Sequence, residues 1–392
     1  MGVIFNEAEA VWEWLMTHLI VINLLFSIII IFFQRRDPRS VWTWLFALNF
    51  IPVFGIIFYL LFGQDLKKSR MFKVKGISDR LNMPVKSQEE IIRSSDIPEE
   101  MMDPLIRDFR SLILYNLETS GAVLTTDNQV KIYTDGQAKF EGLRTALRRA
   151  SRFIHIQYYI IKNDEVFDSI VPILEDKVRE GVEVRILYDG MGGRFMPKRR
   201  WEELRRAGIL VGVFFPPILG WLNLRVNYRN HRKIVVIDGN VGFVGGFNIG
   251  REYISKDPGF GYWRDTHLRI TGEAVMSLQI RFALDWNYAT GENLFKNEAY
   301  FRTDLKKKTD VRRDKERPAW PDPELEGSQV GMQIIASGPD TREPHIRNNY
   351  LELFHKAKHH IYIQTPYFVP DDAVLWALQI AARSGVEVML MI

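Results

Sequence analysis

Two long apolar stretches occupy the first sixty residues, before any alternating pattern begins. Residues 15–33 read LMTHLIVINLLFSIIIIFF and residues 41–62 read VWTWLFALNFIPVFGIIFYLLF, neither with a formal charge. Each is long enough to cross a hydrocarbon core of roughly 30 Å as a helix. Trp12, Trp14, Trp42, Trp44 and Tyr59 lie near their ends, where interfacial aromatics gather. The pattern predicts a transmembrane hairpin of two helices over residues 1–63, with both chain ends on one side of the cell membrane. Pro52 and Gly55 are expected to kink the second helix, which a membrane tolerates. Asn23 and Asn49 are placed either to bond across the hairpin or to be carried as isolated amides.

A cleaved signal peptide does not fit, because the apolar region is too long and its flank starts acidic (Glu7, Glu9, Glu13). The connector, Gln34-Arg35-Arg36-Asp37-Pro38-Arg39-Ser40, is basic, and so is the far side of the second run (Lys67, Lys68, Arg70, Lys73, Lys75). These two signals oppose each other on sidedness. The second cluster suits either anionic headgroups or a solvated linker over residues 64–120.

From about residue 131 the pattern changes to helical spacing alternating with short apolar runs. FEGLRTALRRAS (140–151) precedes FIHIQYYII (153–161), and a helix over 165–180 precedes VEVRILYD (182–189). This rhythm predicts parallel strands buried under helices. The chain then repeats itself: ASRFIHIQ (150–157) returns as AKHHIYIQ (357–364), and GVEV at 181–184 returns at 385–388. The order is the same and the offsets nearly so, so a helix–strand–helix–strand block is duplicated. The fold class expected is α/β: tandem α/β units with a central mixed sheet. A first unit spans 121–300, a charged linker 301–328, and an incomplete second unit 329–392.

The 392 residues contain no cysteine, which excludes disulfides, thiolate nucleophiles and zinc-thiolate or iron–sulfur sites. A net charge of +4 suits an anionic partner without choosing between nucleic acid and lipid.

The segment with chemistry runs YRNHRKIVVIDGNVGFVGGFN over residues 228–248. His231 and Lys233 are two apart, so a strand points them to one face. Asp238-Gly239-Asn240 reads as a hairpin turn. A loop at Gly239-Asn240 sets His231 opposite Asn248, and a loop at Asp238-Gly239 sets it opposite Gly246. In either register His231, Lys233, Gly246 and Asn248 share a face. Such a face offers an imidazole, an ammonium, an amide and a glycine gap where an anion reaches backbone N–H groups, a set suited to phosphate.

The spacing HxK(x)4D(x)6GGxN, together with the repeat and the apolar hairpin, resembles the phospholipase D superfamily and, within it, the bacterial cardiolipin synthases. The phrases IQYY (156–159), VRILYD (184–189) and WRDTHL (263–268) extend the resemblance over essentially the whole chain. It implies a phosphatidyl transfer in which His231 attacks the phosphorus of phosphatidylglycerol, glycerol leaves, and a second phosphatidylglycerol hydroxyl takes the phosphatidyl group. Lys233 and Asn248 would hold phosphoryl oxygens, and Asp265 would orient the other ring nitrogen of His231. Asp238 belongs to the catalytic motif, although the hairpin reading makes it a turn residue or one behind the site. Gln157 and its repeat Gln364 fall where relatives line the substrate cleft, or serve as buried amides. No metal or cofactor is implied. The partners implied are phosphatidylglycerol, anionic lipid and the bilayer, and no nucleic acid.

The superfamily pattern has two HxK motifs, and the repeat offset puts the second near position 435. The reading is therefore of a chain cut within its second unit, carrying the nucleophile half alone. Hydrolysis, other headgroup exchange and non-catalytic membrane binding remain alternatives. Asp189 reads as a site residue at a strand end, or equally as a turn. His355, His359 and His360 read as a surface helix end rather than a metal site. The basic stretches 194–206 and 225–232 suit headgroup attraction.

Overall fold

The computed structural model describes residues 2–33, 38–62, 86–90, 92–93, 104–216, 229–301, 330–338, 341 and 343–392. The basic clusters around 35–36 and 67–75, residues 302–328 of the charged linker and residues 225–228 of the 225–232 stretch lie outside the described residues. The chain forms two compact units, one from residues 1–68 with 215–229, the other from 69–214 with 230–392.

In the first unit, α1 (Gly2–Ile28) continues into a π-helical turn at Ile29–Phe33. The second apolar run is two helices, α2 (Pro38–Phe50) and α3 (Pro52–Phe62), rather than one kinked span. Proline lacks an N–H and disfavours helical backbone in the residue before it, so the run breaks at Ile51. The two pieces fold against each other: Trp44 meets Tyr59 edge-on at 5.4 Å, and a side chain on Gly55 would strike the Ala47 carbonyl. Asn23 does bond across, its Nδ2 donating to Leu48 O at 2.8 Å. Asn49 instead donates to Leu45 O within its own helix. Among the described residues no helix is long and apolar enough to cross a membrane. The helices nevertheless present large apolar side chains outward, with Ile20, Phe32 and Phe50 each at least three-quarters exposed.

The second unit is built on an eight-stranded mixed sheet of order β4-β3-β2-β5-β6-β7-β1-β8. The strands are β1 (Thr125–Tyr133), β2 (Phe153–Tyr158), β3 (Glu183–Asp189), β4 (Leu210–Phe214), β5 (Ile234–Ile237), β6 (Val241–Gly245), β7 (His267–Thr271) and β8 (Val330–Met332). β2, β3 and β4 are parallel, and the pairs from β2–β5 across to β8 are antiparallel. The helices are α4 (Pro104–Ser120), α5 (Gly136–Arg148), α6 (Glu165–Asp168), α7 (Val171–Arg179), α8 (Lys198–Arg206) and α9 (Ala274–Thr290). Pro172 starts α7, so the helix expected over 165–180 is divided.

Side chains of β2 alternate between the two faces. Ile154, Ile156 and Tyr158 join a core with Phe140 of α5, Leu174 of α7 and Trp201 of α8. His155 and Gln157 point the other way and bond Gln279 and Asp285 of α9. Every residue of β2 is buried, the mark of a central strand with both faces covered.

The repeated block reappears as α10 (His345–Lys356), β9 (His360–Gln364), α11 (Asp372–Arg383) and β10 (Glu387–Met391). β9 and β10 pair in parallel with His360 opposite Glu387, just as Phe153 stands opposite Glu183 in β2–β3. The two sequence offsets therefore carry over into one shared strand register.

Candidate active site

β5 is central and wholly buried, and it runs antiparallel to β2 with Ile234 opposite Gln157. Its beginning therefore lies at the carboxyl end of the parallel strands, where open α/β sheets carry their sites. Tyr159 just past β2, Asp189 at the end of β3 and the segment 230–233 all gather at this edge. His231 and Lys233 precede the ladder rather than lying within it, because regular pairing starts at Ile234.

The β5–β6 register differs from both sequence alternatives. Ile237 pairs with Val241, so the loop has three residues, Asp238, Gly239 and Asn240. Asp238 and Gly239 both take left-handed backbone, which aspartate and glycine tolerate at turns. With three loop residues the side-chain parity reverses, and Gly246 and Asn248 no longer share the strand face of Lys233. They reach the site by a different route.

Lys233 is buried. Its Nζ lies 3.1 Å from His231 Nε2 and donates to the His231 carbonyl oxygen at 2.8 Å. The imidazole packs on Tyr159 with ring centres 4.8 Å apart, and the ammonium stands 5.5 Å from the same ring. Withdrawal from water, reinforced by the Lys233 charge and opposed by Asp265, pushes the His231 pKa down to about 4. Burial likewise brings Lys233 down to about 7, again opposed by Asp265. At neutral pH the imidazole is uncharged, with a lone pair on Nε2 aimed at a cation. That is the state a nucleophile toward an anionic phosphorus requires.

Asp265 enters through Gly246. A methyl group on that glycine would fall 1.9 Å from Asp265 Oδ1. The gap expected to admit a ligand anion is thus filled by the chain's own carboxylate, and Gly246 N–H already donates to Thr266 O at 2.9 Å. Asp265 Oδ1 accepts from Thr266 N, and the carboxylate favours the charged forms of both His231 and Lys233. Asn248 is buried and accepts from Ile160 N at 3.1 Å through Oδ1, while Nδ2 donates to the Tyr253 hydroxyl at 2.7 Å. Burial lifts that hydroxyl to about 12, so Tyr253 stays protonated.

Three expected site residues are placed elsewhere. Asp238 stands at the far end of β5, about 16 Å along the strand from Lys233. Its carboxylate accepts from the N–H groups of Ser151, Arg152 and Phe153 and from the Ser151 hydroxyl. It fastens the hairpin to the start of β2 and touches no reacting group. Gln157 faces α9 rather than the cleft, its Nε2 2.7 Å from Asp285. Gln364 is exposed on β9, where its Nε2 donates to Met391 Sδ at 3.3 Å. Asp189 is structural: one oxygen accepts from Met191 N and the other from Asn230 N at 3.0 Å.

The sequence assigned no individual role to Tyr159, Tyr253, Asn230 or Asp285, and read Arg232 only as the end of a basic stretch suited to headgroup attraction. Asp285 alone left a readable signal, a carboxylate on the apolar face of a helix between Phe282 and Trp286. No group of three or more potential metal ligands occurs among the described residues.

A family profile described as "Cardiolipin synthase, PLD-like domain" matches residues 143–260, which include the whole HxK segment, and "Phospholipase_D-nuclease N-terminal" matches 21–64. A cardiolipin synthase of Staphylococcus aureus is 45% identical over 374 residues, covering 95% of this chain and 71% of that one. A cardiolipin synthase of Listeria innocua is 40% identical over 97% of this chain and 74% of its own. Among solved structures, phosphatidylserine synthase of Haemophilus influenzae aligns with a TM-score of 0.44 at 15% identity, over 67% of this chain and 61% of that one. Identity of 40–45% to curated relatives, over 95–97% of this chain, shows that it belongs to the cardiolipin synthase family of phospholipase D-like phosphatidyltransferases.

Proposed function

We propose that this chain transfers a phosphatidyl group from one phosphatidylglycerol to another, forming cardiolipin and releasing glycerol. The observation that carries the reading is the uncharged His231 imidazole with Nε2 3.1 Å from the Lys233 ammonium. The Nε2 lone pair attacks phosphorus as the bond from phosphorus to the glycerol headgroup oxygen breaks, and that oxygen leaves as an alcohol after taking one proton. A hydroxyl of the second phosphatidylglycerol then attacks the phosphatidyl-histidine, gives up one proton and restores the imidazole. Lys233 neutralises the charge that grows on the phosphoryl oxygens in both steps. Asp265 supports the imidazolium-like nitrogen while it is bonded to phosphorus. HxK occurs once among the eight histidines of this sequence, at His231. The superfamily resemblance assigns the proton exchange to a second such motif.

The same reading seats the apolar helices of residues 2–62 in the bilayer as an anchor. Their outward Ile20, Phe32 and Phe50 form an apolar surface of the kind that marks a membrane contact.

Phosphatidylglycerol vesicles incubated, without nucleotide or metal, with protein that carries both HxK motifs are expected to yield the His231 phosphatidyl adduct by mass spectrometry and cardiolipin with equimolar glycerol, whereas the 392-residue chain alone is expected to turn over little. A requirement for CDP-diacylglycerol, or an adduct on another residue, would refute the proposal. Accumulation of phosphatidic acid in place of cardiolipin would assign hydrolysis instead.

A further inference from the structure

Asp285 lies on α9 and is fully buried, yet one of its oxygens receives three donors. Gln157 Nε2 is 2.7 Å away, Asn230 Nδ2 2.9 Å and Arg232 Nη1 2.9 Å. Its other oxygen is buried with no hydrogen-bond partner among the described residues. Two of the three donors flank the nucleophile directly, one residue before it and one after. Asn230 is also held through its own N–H by Asp189. Arg232 extends its second nitrogen to the Ser337 carbonyl oxygen at 3.4 Å.

Sheet hydrogen bonds do not fix His231, because the β5 ladder begins at Ile234. The peptide carrying the nucleophile must be held by something else, and these side chains do so from the α9 face. The imidazole packs on Tyr159 and the Lys233 ammonium, while Asn230 and Arg232 are tied to α9.

We infer that Asp285 is a positioning residue for the phosphatidyl transfer, clamping residues 230 and 232 so that Nε2 of His231 stays in line with phosphorus. This rests on the transfer reading above. A displacement of the nucleophile by about 1 Å costs on the order of 100-fold in rate without changing how substrate binds. The clamp therefore acts on the limiting rate and not on half-saturation.

The test uses the full chain and a diacylglycerol phosphate ester of p-nitrophenol, whose leaving group needs no general acid. The burst of p-nitrophenolate reports His231–phosphorus bond formation. Asp285→Asn, which preserves volume, and Arg232→Met, at a partly exposed position, are each expected to lower the limiting burst rate roughly 10- to 100-fold. The half-saturating concentration is expected to stay within about twofold. Gln279→Leu, elsewhere on α9, removes the bond to His155 and is expected to lower stability while leaving the burst rate intact. An Asp285→Asn burst equal to wild type, or a rise in half-saturation alone, overturns the inference. Wild-type protein with no burst overturns the transfer reading instead. The clamp is then judged by NMR of isotope-labelled histidine, where one sharp His231 ring signal is expected in wild type and a broadened or doubled one in Asp285→Asn. An unchanged ring signal overturns the clamp whatever the activity.

Discussion

The ammonium of Lys233 is shared between two atoms of one residue, Nε2 and the carbonyl oxygen of His231. In that position it covers Nε2. Under the proposed transfer, the substrate phosphodiester draws the ammonium onto its own oxygens, which frees Nε2 for attack and brings the charge to the phosphoryl group.

A pH dependence follows for the free protein. Below about 4 His231 takes a proton and loses its lone pair, and above about 7 Lys233 loses its charge. The kcat/KM for the p-nitrophenyl ester is expected to be highest between these limits and to fall about tenfold per pH unit outside them. In kcat the basic limb moves to higher pH, because bound phosphate favours the ammonium. A profile flat from pH 4 to pH 9 would remove Lys233 from the chemistry.

Asp238 makes a contrasting prediction, since its bonds are structural. Its carboxylate satisfies three backbone N–H groups and one hydroxyl at the head of β2. Asp238→Ala leaves the buried Phe153 N–H unpaired and turns the partly exposed donors of Ser151 and Arg152 over to water, and is expected to lower unfolding stability by about 2 kcal/mol. Urea unfolding measures this. The folded fraction should keep the wild-type burst rate, and a rate loss beyond the folded fraction would return Asp238 to the catalytic set.

His155 gives the protein an acid sensitivity of its own. It is fully buried, stacked on Phe282 at 4.5 Å and bonded to Gln279, and burial pushes its pKa down to about 3. The unfolded value is about 6.5, so protonation favours the unfolded chain. Stability is therefore complete above pH 6.5 and falls as pH drops toward 3, by about 3 kcal/mol at pH 4 from this residue alone. His155→Gln does not titrate and is expected to flatten the stability–pH curve between pH 6 and pH 4 by about one proton. An unchanged slope would mean that His155 is not held neutral.

What the sequence revealed and what it hid divide along physical lines. The βαβ rhythm and the pairing of His231 with Lys233 were legible because each is set by spacing within a short segment, and the duplication because two phrases return in the same order at nearly one offset. The hairpin register was not, because Asp238, Gly239 and Asn240 support loops of two or three residues equally well, and a change of one residue reverses every face. Gln157 stayed open between cleft and buried amide for a related reason: its strand is buried on both faces, so periodicity could not say which side carries α9, where the amide is found bonded to Asp285. The fold-back at Pro52 was read as a kink, since a proline marks a break without giving the angle.

Gly246 is where the site's geometry is most open to a single-atom test. Its missing side chain is the space that Asp265 Oδ1 occupies. Gly246→Ala forces the carboxylate away while leaving every charged group in the chain. Asp265 raises the pKa of both His231 and Lys233, so its retreat lowers both. The acid and basic limbs of the kcat/KM profile are expected to move together to lower pH. At pH 7 less Lys233 is then charged and the phosphohistidine loses its counter-charge, so the burst rate is expected to fall roughly 10- to 100-fold. Asp265→Asn should shift the limbs in the same direction, and combining the two substitutions should add little, because both act through one carboxylate. Additive losses, or limbs that move apart, would show that the glycine serves backbone packing against Thr266 and that Asp265 acts on the site by another path.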